Sequence, residues 1–199
     1  MEKPFLLLVI CTCLVFTHCN CQNKKTSYDP RAIELNNIAI KFISAGKFDS
    51  ALAYLDKAIQ IDTTYYAAYG NKSSVYCSLK DFKNALIETQ KQIAVKPDLA
   101  EGWTFAGMLS DKLGDTSNAM TYYKKSIVLF DERISNPSKQ EFLDANKRNR
   151  AVSLVLMGQE KEGRDELRKL KERHPEDKFL DDLIELSKQD YLNQIFDDQ

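Results

Sequence analysis

The stretch GKFDSALAYLDKAI, residues 46–59, returns as KDFKNALIETQKQI at 80–93 and as GDTSNAMTYYKKSI at 114–127. Ala51, Ala85 and Ala119 lie 34 residues apart, as do Ile59, Ile93 and Ile127, and Leu35, Tyr69 and Trp103. A recurrence of this length marks a supersecondary unit that buries its apolar face by stacking on copies of itself. Within one repeat, Leu35, Ile38, Ala39 and Phe42 stand three or four apart and predict a helix that Asp29 caps and Pro30 starts. Gly46 ends it, and a second helix follows from about Phe48 to Ile61 with Ala51, Leu52, Leu55, Ala58 and Ile59 on one face. The repeat is an antiparallel helix pair joined by a tight turn.

Two columns say how each pair closes. Ala39, Ser73, Gly107 and Ala151 fall at one position of the first helices, and Ala51, Ala85, Ala119 and Gly163 at one position of the second. All eight are small. Small side chains at a crossing let two backbones approach to the short end of the usual interaxial range of about 8–10 Å.

At these residues the chain resembles the tetratricopeptide repeat proteins. Trp103, Ala106 and Gly107 match one block of that pattern, Gly46, Phe48, Ala51, Leu55 and Ala58 another, and Pro97 closes the second repeat. The resemblance implies an all-α, right-handed solenoid of about four helix-turn-helix units over 30–175. The units are 32–65, 66–99, 100–133 and 144–175, with an insertion at 134–143. The fourth fits through Ala151, Leu154, Gly158, Gly163, Leu167, Leu170 and Pro175. Lys72, Thr89 and Gln92 occupy columns where the family is apolar or small, which makes the second repeat the expected loose point. In the insertion, SKQE at 138–141 reads as a capping box, so that Ser138 begins a lengthened first helix carrying Phe142 and Leu143.

Beyond Pro175, residues 176–199 carry an apolar stripe of Phe179, Leu183 and Leu186 beside Leu180, Ile184, Tyr191 and Ile195, which predicts one last helix running to about Phe196. A stack leaves an apolar face open at its end, and such a helix caps it. The other reading is an acidic docking helix, with Asp181, Asp182, Glu185, Asp197 and Asp198 on its outer side.

The N-terminal residues have to be separated from this fold. Lys3 is followed by 13 uncharged residues from Pro4 to Phe16, too few for a spanning helix, which needs about 20 apolar residues. Residues 1–18 therefore read as a secretory signal peptide. Cys19, directly after the apolar run, and the polar NCQNKKTSYD that follows resemble a bacterial lipoprotein signal. That resemblance implies a lipid on Cys19, with Cys21 and Cys13 as alternatives, a tether over 19–29 and a place in the bacterial cell envelope, on the periplasmic or surface face of the outer membrane. Acyl chains gain about 0.8 kcal/mol per buried methylene, enough for two or three to hold a protein on a membrane.

With 28 basic and 29 acidic residues the net charge is −1, so no whole-molecule field attracts nucleic acid. The basic cluster KRNR at 147–150 lacks the interleaved aromatic residues of a nucleic-acid platform. There is no HExxH, GxSxG or GxxxxGK[ST] sequence, and His174 by itself is a poor metal site; it suits the C-terminus of a helix. No cofactor, metal or catalytic residue is expected, and an enzyme is the least favoured class.

In the tetratricopeptide family ligands lie in the concave trough lined by the first helices. The resemblance places Asn36, Ile40 and Ile43 there, then Ser74 and Cys77 beside Gly70, then Thr104, Met108 and Asp111, then Arg148, Val152 and Val155. An adjoining column holds Asn37, Asn71, Phe105 and Asn149. Chaperone adaptors of the family grip acidic tails through cationic columns, which here hold Asn36, Glu101 and Phe105. Ile, Val, Met and Phe with scattered Asn instead suit an apolar helix or an extended peptide whose backbone the amides can satisfy. The expected protein is thus a lipid-anchored scaffold binding another protein, with a subunit of an envelope assembly complex as the alternative.

Overall fold

The computed structural model describes residues 27–136 and 142–197; the signal segment, Cys19, Cys21 and the capping box at 138–141 lie outside them. The described residues form ten helices and no strand. They are α1 (Pro30–Ser44), α2 (Phe48–Ile61), α3 (Tyr66–Ser78), α4 (Phe82–Val95), α5 (Ala100–Lys112), α6 (Thr116–Ile134), α7 (Leu143–Leu156), α8 (Glu160–Arg173), α9 (Lys178–Glu185) and α10 (Lys188–Phe196). The chain divides into two compact units between Pro97 and Asp98. In the N-terminal unit α1 packs on α2, α2 on α3 and α3 on α4, while α1 also meets α3. In the C-terminal unit the same order runs through α5, α6, α7 and α8, and α5 also meets α7.

The turn within each repeat is one motif made four times. Gly46, Gly114 and Gly158 have φ of 68°, 82° and 91°, and at the equivalent place Lys80 has φ 58°. This left-handed residue lets the next amide reach back to the helix: Lys47 N donates to Phe42 O, Asp81 N to Tyr76 O, Asp115 N to Ser110 O and Gln159 N to Leu154 O, at 2.8–2.9 Å. Those bonds satisfy carbonyls that a helix end would otherwise leave unpaired. Asp81 and Asp115 then cap the second helices, each accepting from the backbone N–H three residues on, at Asn84 and Asn118, at 3.1 Å.

The small columns sit where the helices cross. Ala39, Ser73, Ala151, Ala51, Ala85 and Ala119 are all fully buried. Ser73 Oγ donates to Ala85 O at 2.8 Å, which fixes the α3–α4 crossing at these two positions. Gly163 lies so near α7 that an added Cβ would stand 2.5 Å from Ala151 O. The residues that break the small-or-apolar rule in the second repeat are packed in as well. Thr89 shares Ser73 Oγ at 2.7 Å, and Gln92 fills the space that Gly70 leaves by lacking a Cβ.

One expectation is corrected. The described residues after Pro175 do not form a single helix: Leu186 and Ser187 are extended, with ψ of 132° and 167°, and separate α9 from α10. Ser187 begins a new helix because its hydroxyl accepts from Asp190 N at 3.2 Å while Asp190 Oδ2 accepts from Ser187 N at 3.0 Å. α9 packs on α8 as an end cap would, and α10 turns back onto α7.

Candidate functional site

In the N-terminal unit the first helices are α1 and α3. They are joined across their facing side by Asn71 Nδ2, which donates to Asn36 Oδ1 at 2.7 Å, with both side chains buried. These amides, expected to meet a partner's backbone, meet each other. Around them Asn37 is exposed, while Ile40, Ile43, Ser74 and Cys77 are half-buried. Ile43 leans on the unit's core, Ser74 Oγ donates to Gly70 O at 3.1 Å, and Cys77 is in no disulfide. What remains toward solvent is a shallow strip of Asn37, Ile40, Ser74 and Cys77.

In the C-terminal unit the first helices are α5 and α7, and Thr104 Oγ1 lies 3.0 Å from Ser153 Oγ between them. Met108 and Val155 are buried, at 1% and 0% exposure, and serve as core rather than lining. Asn149 and Val152 are half-buried. Phe105, Asp111 and Arg148 are engaged by the end of the same chain. The Phe105 and Phe196 rings are 6.3 Å apart, Arg148 stands 5.6 Å over the Phe179 ring, and Asp111 pairs with Lys188 at 2.6 Å. Asp111 also accepts from Tyr123 Oη at 2.8 Å. Burial, and then the charge of Asp111, push the Tyr123 phenol well above its ordinary pKa.

Two ion clusters tie the helices together behind these faces. In the N-terminal unit Lys72 on α3 reaches Asp56 on α2 at 2.7 Å and Glu88 on α4 at 3.4 Å. Burial works to lower the Lys72 pKa, and the bond to Asp56 with the charge of Glu88 outweighs it, leaving the ammonium raised. In the C-terminal unit Arg150 on α7 pairs with Asp131 on α6 and Glu166 on α8. Lys72 and Arg150 hold the same place in their repeats, as do Glu88 and Glu166, so this arrangement was open to discovery from the period. At the end of α8, Arg173 Nη1 and His174 Nε2 reach the two carboxylate oxygens of Asp144 at 2.7 and 2.6 Å, the His174 contact lowering the Asp144 pKa most.

The sequence reading did not find the return of α10. Its signal was SKQD at 187–190, the same kind of box as SKQE at 138–141. Hydrophobic spacing gives no warning, because Ile184 and Tyr191 stay seven residues apart and in register for an unbroken helix.

Residues 100–129, which are α5 with most of α6, match the tetratricopeptide repeat family model. Among curated proteins, the Hsp70-Hsp90 organizing protein of Triticum aestivum is 31% identical over 86 residues, 43% of this chain and 15% of its own length. Heat shock protein STI1 of Saccharomyces cerevisiae is 32% identical over 102 residues, 51% of this chain and 17% of its own. The chain thus spans less than a fifth of either relative. Of solved structures, PilW, titled a type IV pilus biogenesis factor, aligns with a TM-score of 0.55 at 18% identity, over 74% of this chain and 64% of that one. MamA aligns at 0.50 with 20% identity, over 74% and 81%. The fold is that of a tetratricopeptide repeat solenoid.

Proposed function

We propose that this chain is a binding protein without catalysis of its own, which holds a segment of another protein against the first helices of its repeats. The carrying observation is the division of labour within each repeat. Stacking is assigned to the small columns and the second helices, while Asn37 on α1 is exposed and Ile40, Ser74 and Cys77 on α1 and α3 keep part of their surface toward solvent. Relatives named as Hsp70-Hsp90 organizing proteins, and the repeat match at 100–129, support a role in joining proteins.

The ligand's chemistry is apolar rather than acidic. An acidic tail needs cations aimed at it, and here Asn36 is spent on Asn71, Glu101 holds Arg133 at 2.7 Å, and Phe105 lies against Phe196. An apolar segment seated beside Ile40 removes hydrocarbon from water on both sides, worth about 25 cal/mol per Å². A photo-crosslinking amino acid at Asn37 in living cells, followed by mass spectrometry, tests this reading. It is expected to trap a defined protein whose capture is lost with Ile40→Glu. Trapping no stronger than from Lys83, an exposed position on α4, refutes it.

The same proposal places the chain on a bacterial envelope membrane through a lipid on Cys19, supported by the order of Lys3, apolar run, cysteine and polar tether. Cys19→Ala is expected to move the protein from the membrane fraction to the soluble fraction. Unchanged membrane association counts against the anchor.

A further inference from the structure

We infer that α10 is a removable occupant of the α5–α7 face, and that the partner admitted when it leaves is an amphipathic helix carrying the same stripe. The inference deepens the proposal above, that first-helix faces take protein segments, and rests on it. Lys188, Tyr191, Leu192, Ile195 and Phe196 stand at i, i+3, i+4, i+7 and i+8, one side of a helix, and the four apolar members are at most 6% exposed. That side is laid on the columns that the repeat pattern reserves for a ligand. Lys188 meets Asp111 at 2.6 Å, Phe196 meets Phe105 at 6.3 Å, and Asp197 meets Lys112 at 2.6 Å.

α10 is built to come away. It has nine residues, follows two extended ones, and starts on its own capping box; a hydrogen bond from Tyr191 Oη to Leu183 O, at 3.0 Å, ties it to α9. A helix this short is marginal in water and lasts only while docked. The ion pair at its far end is half-exposed at Asp197, a setting in which such pairs add little. Elements that must move are drawn from this low-stability class.

Asp111 fixes the chemistry of the replacement. Its side chain is 3% exposed, and Lys188 is the cation set against it. A second occupant that brought no cation would leave that carboxylate buried with only the Tyr123 hydroxyl, a costly state. The partner is therefore a helix with a lysine or arginine, then apolar pairs three and four, and seven and eight, residues later. A short linker gives α10 an effective concentration of about millimolar, so in the intact chain it outcompetes any dilute ligand.

The test titrates a fluorescent peptide of residues 187–197 into the full chain, wild type and Phe196→Ala, and reads anisotropy. The variant is expected to bind at least about tenfold more tightly than wild type, and a peptide carrying Lys188→Glu is expected to lose that binding. Equal affinity for the two chains, or no binding to a variant that keeps its helicity, overturns the inference. A dimer that has exchanged α10 between copies overturns the assignment of the occupant to another protein. Hydrogen exchange on the wild-type chain covers a variant that fails to fold: α10 amides are expected to exchange at least about tenfold faster than those of α7 and α8, and exchange in step with them overturns the inference. Neither readout involves the partner trapped at Asn37, so this inference and the proposed function can fail separately.

Discussion

Adding one methyl group at Gly163 measures how close the helices of a repeat must come. The new Cβ would lie 2.5 Å from Ala151 O, 2.7 Å from Val155 Cγ2 and 3.1 Å from Val155 N. Ordinary contact begins near 3.4 Å, so α8 has to withdraw from α7 by almost 1 Å. Two of the three obstacles are backbone atoms, which no rotamer change can clear. Overpacking of this kind costs about 3 kcal/mol, and the better helix propensity of alanine returns about 1. Gly163→Ala is therefore expected to lose about 2 kcal/mol. With a urea slope of about 1–3 kcal/mol/M, the midpoint followed by circular dichroism moves down by about 1 M. Lys161→Ala, exposed on the same helix, is the control and is expected to stay within about 0.5 kcal/mol. If Gly163→Ala is as stable as the parent, close approach is not why that column is small, and the reasoning behind the repeat fails with it.

Lys80 holds a left-handed conformation, at φ 58°, that glycine adopts freely; Lys80→Gly is expected to gain about 0.5–1 kcal/mol in urea titration, where an ordinary exposed Lys→Gly change loses stability. Lys72→Met leaves the buried Glu88 carboxylate with Lys91 alone and is expected to cost about 2 kcal/mol, most of it restored by Glu88→Leu in the same chain. The capping carboxylates make stability fall in acid. Hydrogen bonds from the Arg31 side chain and amide lower the Asp29 pKa to about 2, and Asn84 and Asn118 lower those of Asp81 and Asp115. The unfolded chain takes up these protons first, near pH 4, so the contribution is complete above that pH and is lost as pH falls toward about 2. Replacing the three by Asn is expected to flatten stability against pH in that window, and an unchanged slope counts against these caps.

The crossings were legible in the sequence because they depend on residue size at a fixed interval, and Ala51, Ala85 and Gly163 carry that information by themselves. The turns were legible for a similar reason: Gly46, Gly114 and Gly158 mark a backbone conformation that few other residues accept, and Lys80 shows that the motif's hydrogen bonds can hold even a non-glycine there. The face was less legible. An Asn on a first helix looks the same whether its amide is free or bonded to a neighbour 35 positions away, as Asn36 is to Asn71. Met108 and Val155 sit in columns that share their side of the helix with the core, so helical period cannot separate lining from filling. The fold of α10 onto Phe105 and Asp111 is a tertiary choice, signalled locally only by Ser187 and Asp190.

The faces of the two units bear on how one repeat pattern can serve two ends. On α1 and α3 the strip is narrow, since the Asn36–Asn71 bond and the lean of Ile43 into the core leave Ile40 as its main hydrocarbon for a ligand. On α5 and α7 the same columns hold Phe105, a ring that water does not favour, and Asp111, a carboxylate that needs a cation where α10 buries it. An exposed patch of that kind invites unspecific association. A short helix from the same chain covers it with a ring for the ring and a cation for the carboxylate, so the features that make this face good at binding also give the chain a reason to carry its own cover. The stripe from Lys188 to Phe196 is therefore both the chain's protection against indiscriminate contact and a template for the ligand that would replace it.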